Sequence, residues 1–377
     1  MLIRALAAVL TLAAAPFLSS AGAQTWGQQG VTIFQASGFQ RFAGPWGAVN
    51  NSGQIAGNAN GFAALYTPGS GASPFGSLGG SFNLGSGVNN GGQVTGYSLL
   101  AGDGANHAFI TGNGGVMQDL GTLGGTNSVG WGVNSSGQVT GNAYLAGDAM
   151  THAFIATVGG GMQDLGTLGG RNSEGYAIND AGQVVGYSEV VVGSFQVHAF
   201  LASAGLMQDL GTLGGSNSFA YGVNSSGEVV GYALTNGNAA QRAFVTSGGV
   251  MQDLGTLGGN ASYAYQISDA GDIVGRAVNA SNAFQAALWE ANGSGYTAYS
   301  FDSIINQGSN SGWTMDSAIG ISQDGRYVEG YATNSISGYS GLVVLEENVA
   351  TTPEPTSLML LGTGLLGITG LARRKRG

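Results

Sequence analysis

A repeat of about 45 residues constrains this chain more than any other feature. The phrase Met-Gln-Asp-Leu-Gly-Thr-Leu-Gly-Gly begins at Met117, Met162, Met207 and Met251, in steps of 45, 45 and 44 residues. A second phrase, [Val/Ile]-[Asn/Ser]-x-x-Gly-x-[Val/Ile]-x-Gly, begins at Val49, Val88, Val133, Ile178, Val223 and Ile267; a degenerate seventh copy begins at Ile321, with one extra residue before Gly330. A third phrase, His-Ala-Phe, begins at His107, His152 and His198, becomes Arg242-Ala243-Phe244, and fades to Ala286-Ala287-Leu288-Trp289. Self-similarity at such a period means stacked supersecondary units that bury their apolar faces against one another.

Each unit holds four short strand signals separated by turn residues; in one copy they cover 219–223, 228–233, 243–246 and 251–254. Asn224-Ser225-Ser226-Gly227 joins the first pair as a tight hairpin, with Asn and Gly expected to take the left-handed angles. Four strands in about 45 residues is the arithmetic of a β-propeller blade. A β-solenoid, the alternative, needs shorter and more uniform coils. The last unit has strand signals at 317–322, 326–331 and 341–346 but no Asp-Leu-Gly strand after them. Val31-Thr32-Ile33-Phe34 stands the same distance before the first hairpin as the fourth strands do before theirs. The expectation is an all-β fold of seven four-stranded blades, with the N-terminal strand completing the last and removing the open edges of the ring.

Composition supports a packed body. Hydrophobic residues make up 43% of the 377, too many for a disordered chain, and the 71 glycines follow no collagen period. The absence of cysteine excludes disulfides, thiolate metal sites and cysteine nucleophiles. Between residues 24 and 352, five arginines and no lysine face 19 acids, a net charge of −14. That surface repels nucleic acid and anionic lipid, which demand a basic footprint, so neither is expected as a partner.

The two ends read as addresses, giving a signal peptide at 1–23, a repeat body at 24–350 and a sorting segment at 351–377. Arg4, an apolar run over 5–18 and the small-x-small site Ala21-Gly22-Ala23 form a secretory signal, with cleavage by signal peptidase expected before Gln24. At the other end, Pro353-Glu354-Pro355 precedes 15 uncharged residues (357–371) and the basic Arg373-Arg374-Lys375-Arg376. The stretch is short for a permanent transmembrane helix, and its basic end suits a transient inner-membrane tether.

This tail closely resembles the PEP-CTERM sorting signal of Gram-negative bacteria. The resemblance implies recognition and cleavage near the Pro-Glu-Pro triplet by an exosortase, then release or attachment at the cell surface or extracellular matrix, in a setting of exopolysaccharide production. The repeated phrases resemble the HAF family of extracellular repeat proteins across most of the body. That resemblance implies export and a bacterial surface setting, with no assigned chemistry.

No cofactor or metal is expected. The histidines occupy equivalent places on different units, too far apart to share an ion, and Arg242 replaces one of them. Each is expected to satisfy turn groups within its blade together with the following Asp119, Asp164 or Asp209. The glycine-rich phrase lacks the lysine of a phosphate loop, no GxSxG elbow occurs, and the Asn-Asp-Ala-Gly turns lack calcium-loop spacing. Positions that break the repeat are better candidates for function. The insertion from Glu290 to Asp316 carries Tyr296, Tyr299, Asp302, Trp313 and Asp316, aromatics and carboxylates of the kind a sugar-binding surface uses. The competing account makes the rings blade core and the acids solvated. The variable stretches 99–106, 143–151, 189–197 and 234–241 are expected to emerge at one face, where binding loops sit on a rigid scaffold. The chain is expected to be a non-catalytic binding or scaffold protein of the exopolysaccharide layer. The alternatives are a polysaccharide-degrading enzyme using the insertion carboxylates, and a protein-binding adhesion or surface-layer component.

Overall fold

Strand follows strand along the computed structural model, which describes residues 26–27, 30–41, 49–293, 295–306 and 310–348. The signal-peptide residues Ala21 and Ala23 and the sorting residues Pro353, Glu354, Pro355, Arg373, Arg374, Lys375 and Arg376 lie outside these. Among the described residues, twenty-seven strands form seven antiparallel sheets, and the α-helix is a single short turn, Phe301–Ile305. Blades two to six each run in chain order from an inner to an outer strand, as in blade five: Gly214–Val223, Val229–Thr235, Gln241–Ser247 and Val250–Asp253. Blade one shows three strands, Ile55–Ala59, Phe62–Thr67 and Gly71–Pro74, with Val49 bridging to Ile55 on the axial side. The molecule is a seven-bladed β-propeller.

The ring closes as its sequence spacing predicts. Val31–Gln35 pairs antiparallel with Ser340–Glu347, in a register running from Val31 opposite Glu347 to Gln35 opposite Val343, and becomes the outer strand of blade seven. Two side-chain devices reinforce this closure. Trp26, 3% exposed, donates its indole N–H to Gly325 O at 2.7 Å and its backbone N–H to Glu290 at 2.5 Å. Arg41 forms an ion pair with Glu329 of blade seven at 2.6 Å, with both side chains almost fully buried, and donates to Ser86 O of blade two at 2.9 Å. One guanidinium thereby ties the last blade to the second across the first.

The repeated phrases now have physical roles. In His-Ala-Phe, the phenylalanines Phe109, Phe154, Phe200 and Phe244 are fully buried between blades, each contributing roughly 1.5–3 kcal/mol of burial. The alanine N–H donates to a serine of the next blade, as from Ala153 to Ser173 at 2.9 Å. The final glycine of the second phrase allows a close approach: a Cβ at Gly141 would lie 1.8 Å from Val129 O. In the hairpin turns of the second phrase only the glycine takes the left-handed conformation, as at Gly137 (φ 77°). The turn asparagines do something else, which corrects the sequence expectation. Asn179 Oδ1 accepts the N–H groups of Ala181 and Gln183, while its Nδ2 donates to Asn224 O of the next blade at 2.9 Å. The same link runs from Asn50 to Asn89, from Asn89 to Asn134, from Asn134 to Asn179 and from Asn224 to Ser268. A belt of amides thus joins neighbouring blades around one end of the axis.

A β-bulge fills the axis. In blade three Gly130 opposes Gly141 and Gly132 opposes Thr140, so Trp131 is skipped; Ser86, Tyr176, Tyr221, Tyr265 and Ile319 are skipped in the same way. Bulges re-aim side chains, and here the skipped rings meet, with Tyr176–Tyr221 centroids 5.5 Å apart and Tyr221–Tyr265 6.1 Å apart. A cavity of about 100 Å3 lies beside them at the belt end.

Candidate functional site

One layer beyond this plug, toward the end of the ring that carries the variable loops, the inner and second strands pair Glu174 with Tyr187, Phe219 with Tyr232 and Tyr263 with Arg276. The repeat fixes the register, and the residue types at this register differ from blade to blade. The rings form an unbroken arc over blades four to six. Centroid separations are 5.1 Å for Tyr187–Phe219, 5.0 Å for Phe219–Tyr232, 5.0 Å for Tyr232–Tyr263 and 6.0 Å for Tyr263–Phe284. Every ring in the arc except Phe284 is half-buried, and Phe284, beside the blade-six loop, is 43% exposed.

The arc ends in a groove of about 480 Å3 between blades five and six, where Tyr263 and Phe284 face the amides of Asn238, Gln241, Asn260 and Asn282. Tyr263 donates its hydroxyl to Gln241. Arg276 lies over both rings, 4.9 Å from the Tyr263 centroid and 4.5 Å from that of Phe284, in cation–π contact. At the opposite end of the arc, Glu174 accepts from the Tyr176 hydroxyl at 3.1 Å, and burial pushes its carboxyl above the ordinary glutamate range. Burial also pushes the Tyr232 phenol up to about 12, so the phenols of the arc stay neutral donors at physiological pH. Chemically, the site offers apolar ring faces, amide and phenol hydrogen bonds and one cation. In chemical type these groups match an amphipathic ring with apolar faces and hydroxyl edges.

The insertion sits elsewhere. Tyr296 and Tyr299 belong to Tyr296–Ser300, the outer strand of blade six, and are half-buried against the cores of blades six and seven. Trp313 is 7% exposed and packs with Tyr339 at 5.9 Å, so its ring faces the core and offers no free face to a sugar. Asp302 accepts from Met315 N and Gln285 Nε2, both at 2.8 Å, which fixes the helical turn beside blade seven; burial raises its carboxyl. Asp316 is exposed. These five side chains therefore do not converge on one groove. The arc was missed because its members sit inside the repeat, at positions that periodicity assigns to the scaffold. The available signal was aromatic variation at one register, Glu174, Phe219 and Tyr263 on inner strands and Tyr187, Tyr232 and Arg276 on second strands.

The histidines do pair within their blades. His107, His152 and His198 each contact both carboxylate oxygens of Asp119, Asp164 and Asp209 at 2.8–3.0 Å. Each aspartate also accepts the N–H of the glycine two residues on, as Asp253 does where Arg242 stands in place of histidine. Among the described residues no three His, Asp or Glu side chains gather in a metal-binding group.

Residues 351–376 match the family model of the PEP-CTERM protein-sorting motif. The tail marks an exported protein. No curated protein sequence matches the chain. Among solved structures, the β-propeller domain of the Trilobed protease from Pyrococcus furiosus covers 84% of this chain and 100% of its own, with TM-score 0.51 and 9% identity. That domain is described as having an open velcro topology, whereas here the N-terminal strand completes blade seven. A putative TolB from Agrobacterium tumefaciens aligns over 59% of this chain and 87% of its own, at 11% identity and TM-score 0.44. A gluconolactonase from Xanthomonas campestris aligns over 82% and 100%, at 9% identity and TM-score 0.38. Likeness at this level concerns the fold alone. Among the described residues no helix is long and apolar enough to cross a membrane, and the apolar stretch 357–371 lies outside them.

Proposed function

We propose that this exported propeller is a non-catalytic binding module of the cell-surface or extracellular matrix, taking up a polysaccharide along the aromatic arc and the groove between blades five and six. The observation that carries the reading is the chain of touching rings, half-buried from Tyr187 to Tyr263 and exposed at Phe284, ending among amides. Rings cover the apolar faces of sugars while amides bond their hydroxyls. The sorting motif supports delivery to the outer surface, and exosortase processing near Pro353-Glu354-Pro355 belongs to the same reading, as does the resemblance of the repeats to HAF proteins. The insertion 290–316 keeps a supporting part, since its core residues hold blades six and seven in place beside the groove.

The test is incubation of the propeller, residues 24–352, with exopolysaccharide of the producing cells, following both co-sedimentation and polymer length. Binding at unchanged length, weakened at least tenfold by Tyr232→Ala or Phe284→Ala, supports the module. Polymer shortening that Asp302→Asn or Asp316→Asn abolishes would replace it with the degrading-enzyme reading. Absence of binding with self-association on sizing would favour a surface-layer role.

A further inference from the structure

Resting on the glycan-binding reading of the same groove, we infer that the sugar it selects carries a carboxylate, held by Arg276. Of the five arginines in the body, Arg41 and Arg326 are committed to Glu329 and Glu346. Arg276 has no carboxylate partner among the described residues, yet it is half-buried, and its Nε is fully buried without a hydrogen-bond partner. Arg326 Nε shares that state although Arg326 pairs with Glu346, so what sets Arg276 apart is the missing carboxylate and not the Nε. A cation held between Tyr263 and Phe284 is positioned by the two rings but left without an anion.

The place of this charge matters as much as its existence. In the cross-strand register that Arg276 occupies on blade six, blade four carries Tyr187 and blade five Tyr232. The cation therefore substitutes for an aromatic ring at the end of an aromatic row, beside the groove lined by Tyr263, Phe284 and four amides. A uronate unit matches this arrangement. Its ring stacks on Phe284 or Tyr263, its hydroxyls reach the amides, and its carboxylate meets the planar guanidinium in the bidentate geometry that arginine favours. The net charge of −14 opposes an acidic polymer at long range, but at about 0.15 M salt that repulsion is screened beyond roughly 8 Å. The local contact then decides selectivity.

The probe is a galacturonate hexamer compared with its fully methyl-esterified form, which keeps the backbone and removes the charge. Binding to the protein is followed by calorimetry at about 0.15 M salt, with melting curves to confirm that each variant is folded. The free acid is expected to bind about tenfold tighter than the ester, in line with one charge-assisted bidentate contact. Arg276→Gln is expected to abolish that ratio, bringing the free acid and the ester to equal affinity, and Arg276→Lys to retain part of it. Equal affinity for the two forms, or a preference that survives Arg276→Gln, overturns the carboxylate assignment and leaves the glycan groove standing. If neither form binds, the assignment falls together with the groove reading.

Discussion

Removing one amide from the inter-blade belt should cost this propeller about 3 kcal/mol. Asn179, 2% exposed, makes four side-chain hydrogen bonds: Oδ1 accepts from Ala181 N at 3.1 Å and Gln183 N at 3.0 Å, and Nδ2 donates to Asn224 O at 2.9 Å and Gln183 Oε1 at 2.7 Å. At about 0.5–1.5 kcal/mol each, the four are worth roughly 2–6 kcal/mol. In Asn179→Ala, the groups near the exposed turn at Ala181 regain water, while Asn224 O, in a buried place, loses one of its two donors and keeps the Gly227 N–H at 3.1 Å. The expected loss therefore falls in the lower half of that range, a sizeable share of the roughly 5–15 kcal/mol that holds a domain folded. Asn179→Ser separates the two functions of the amide. At the homologous turn Ser268 still caps, accepting from Asp272 N at 3.1 Å. Serine should keep part of the cap and lose the inter-blade link, costing about half as much. Equilibrium urea unfolding of residues 24–352 gives both numbers from the midpoint and slope. An alanine variant within about 1 kcal/mol of the parent, or a serine variant as damaged as alanine, would refute the belt as a source of stability.

Three further outcomes follow from the same contacts. Glu329→Ala strands the buried Arg41 guanidinium between blades seven, one and two and should cost about 3–5 kcal/mol in urea unfolding, whereas replacing both partners by methionine should cost distinctly less. The combined change of His107, His152 and His198 to glutamine should shift stability by no more than about 1 kcal/mol per pair, because the pairs are partly exposed; a larger loss in thermal melts would give these pairs a role the geometry does not. Glu290 is held above the ordinary glutamate range by burial and by the nearby Asp272 and Glu347, against the Trp26 N–H that lowers it, and Asp272 is raised by burial and Glu347. Acids whose folded values are raised favour the fold when protonated, so their contribution is complete below the unfolded values and is lost as pH rises through the folded ones. The melting temperature should rise as pH falls from about 7 toward 5, and Glu290→Gln, which keeps an acceptor for Trp26, should flatten that rise; an unchanged slope would sever the link to this cluster.

How far the sequence carried depends on whether a feature repeats. The blade count, the four strands per unit and the placing of Val31–Gln35 in the last blade were legible because each follows from spacing, and spacing along a chain survives folding. The serine and alanine of the repeat were visible too, but not that they bond across the blade boundary. The turn asparagines show the limit: their type suggested local left-handed angles, and only the assembled ring shows that the amide spans to the next blade. The insertion shows the opposite error in kind. Trp313 and Tyr299 break the repeat and so drew a functional reading, while their depth in the core between blades six and seven is a property of packing that no spacing records.

By itself, then, the sequence determined a seven-fold ring, its closure and its sorting tail, because each is written as a period or as a contiguous signal. The tertiary structure alone decided where the rings gather. A bulge at one residue per inner strand turns Trp131, Tyr176, Tyr221 and Tyr265 onto the axis. That plug leaves the next layer as a continuous surface, half-buried from Tyr187 to Tyr263, with Arg276 and the exposed Phe284 at its end. Those residues lie on three blades about 45 positions apart, and nothing short of closing the ring brings them into contact.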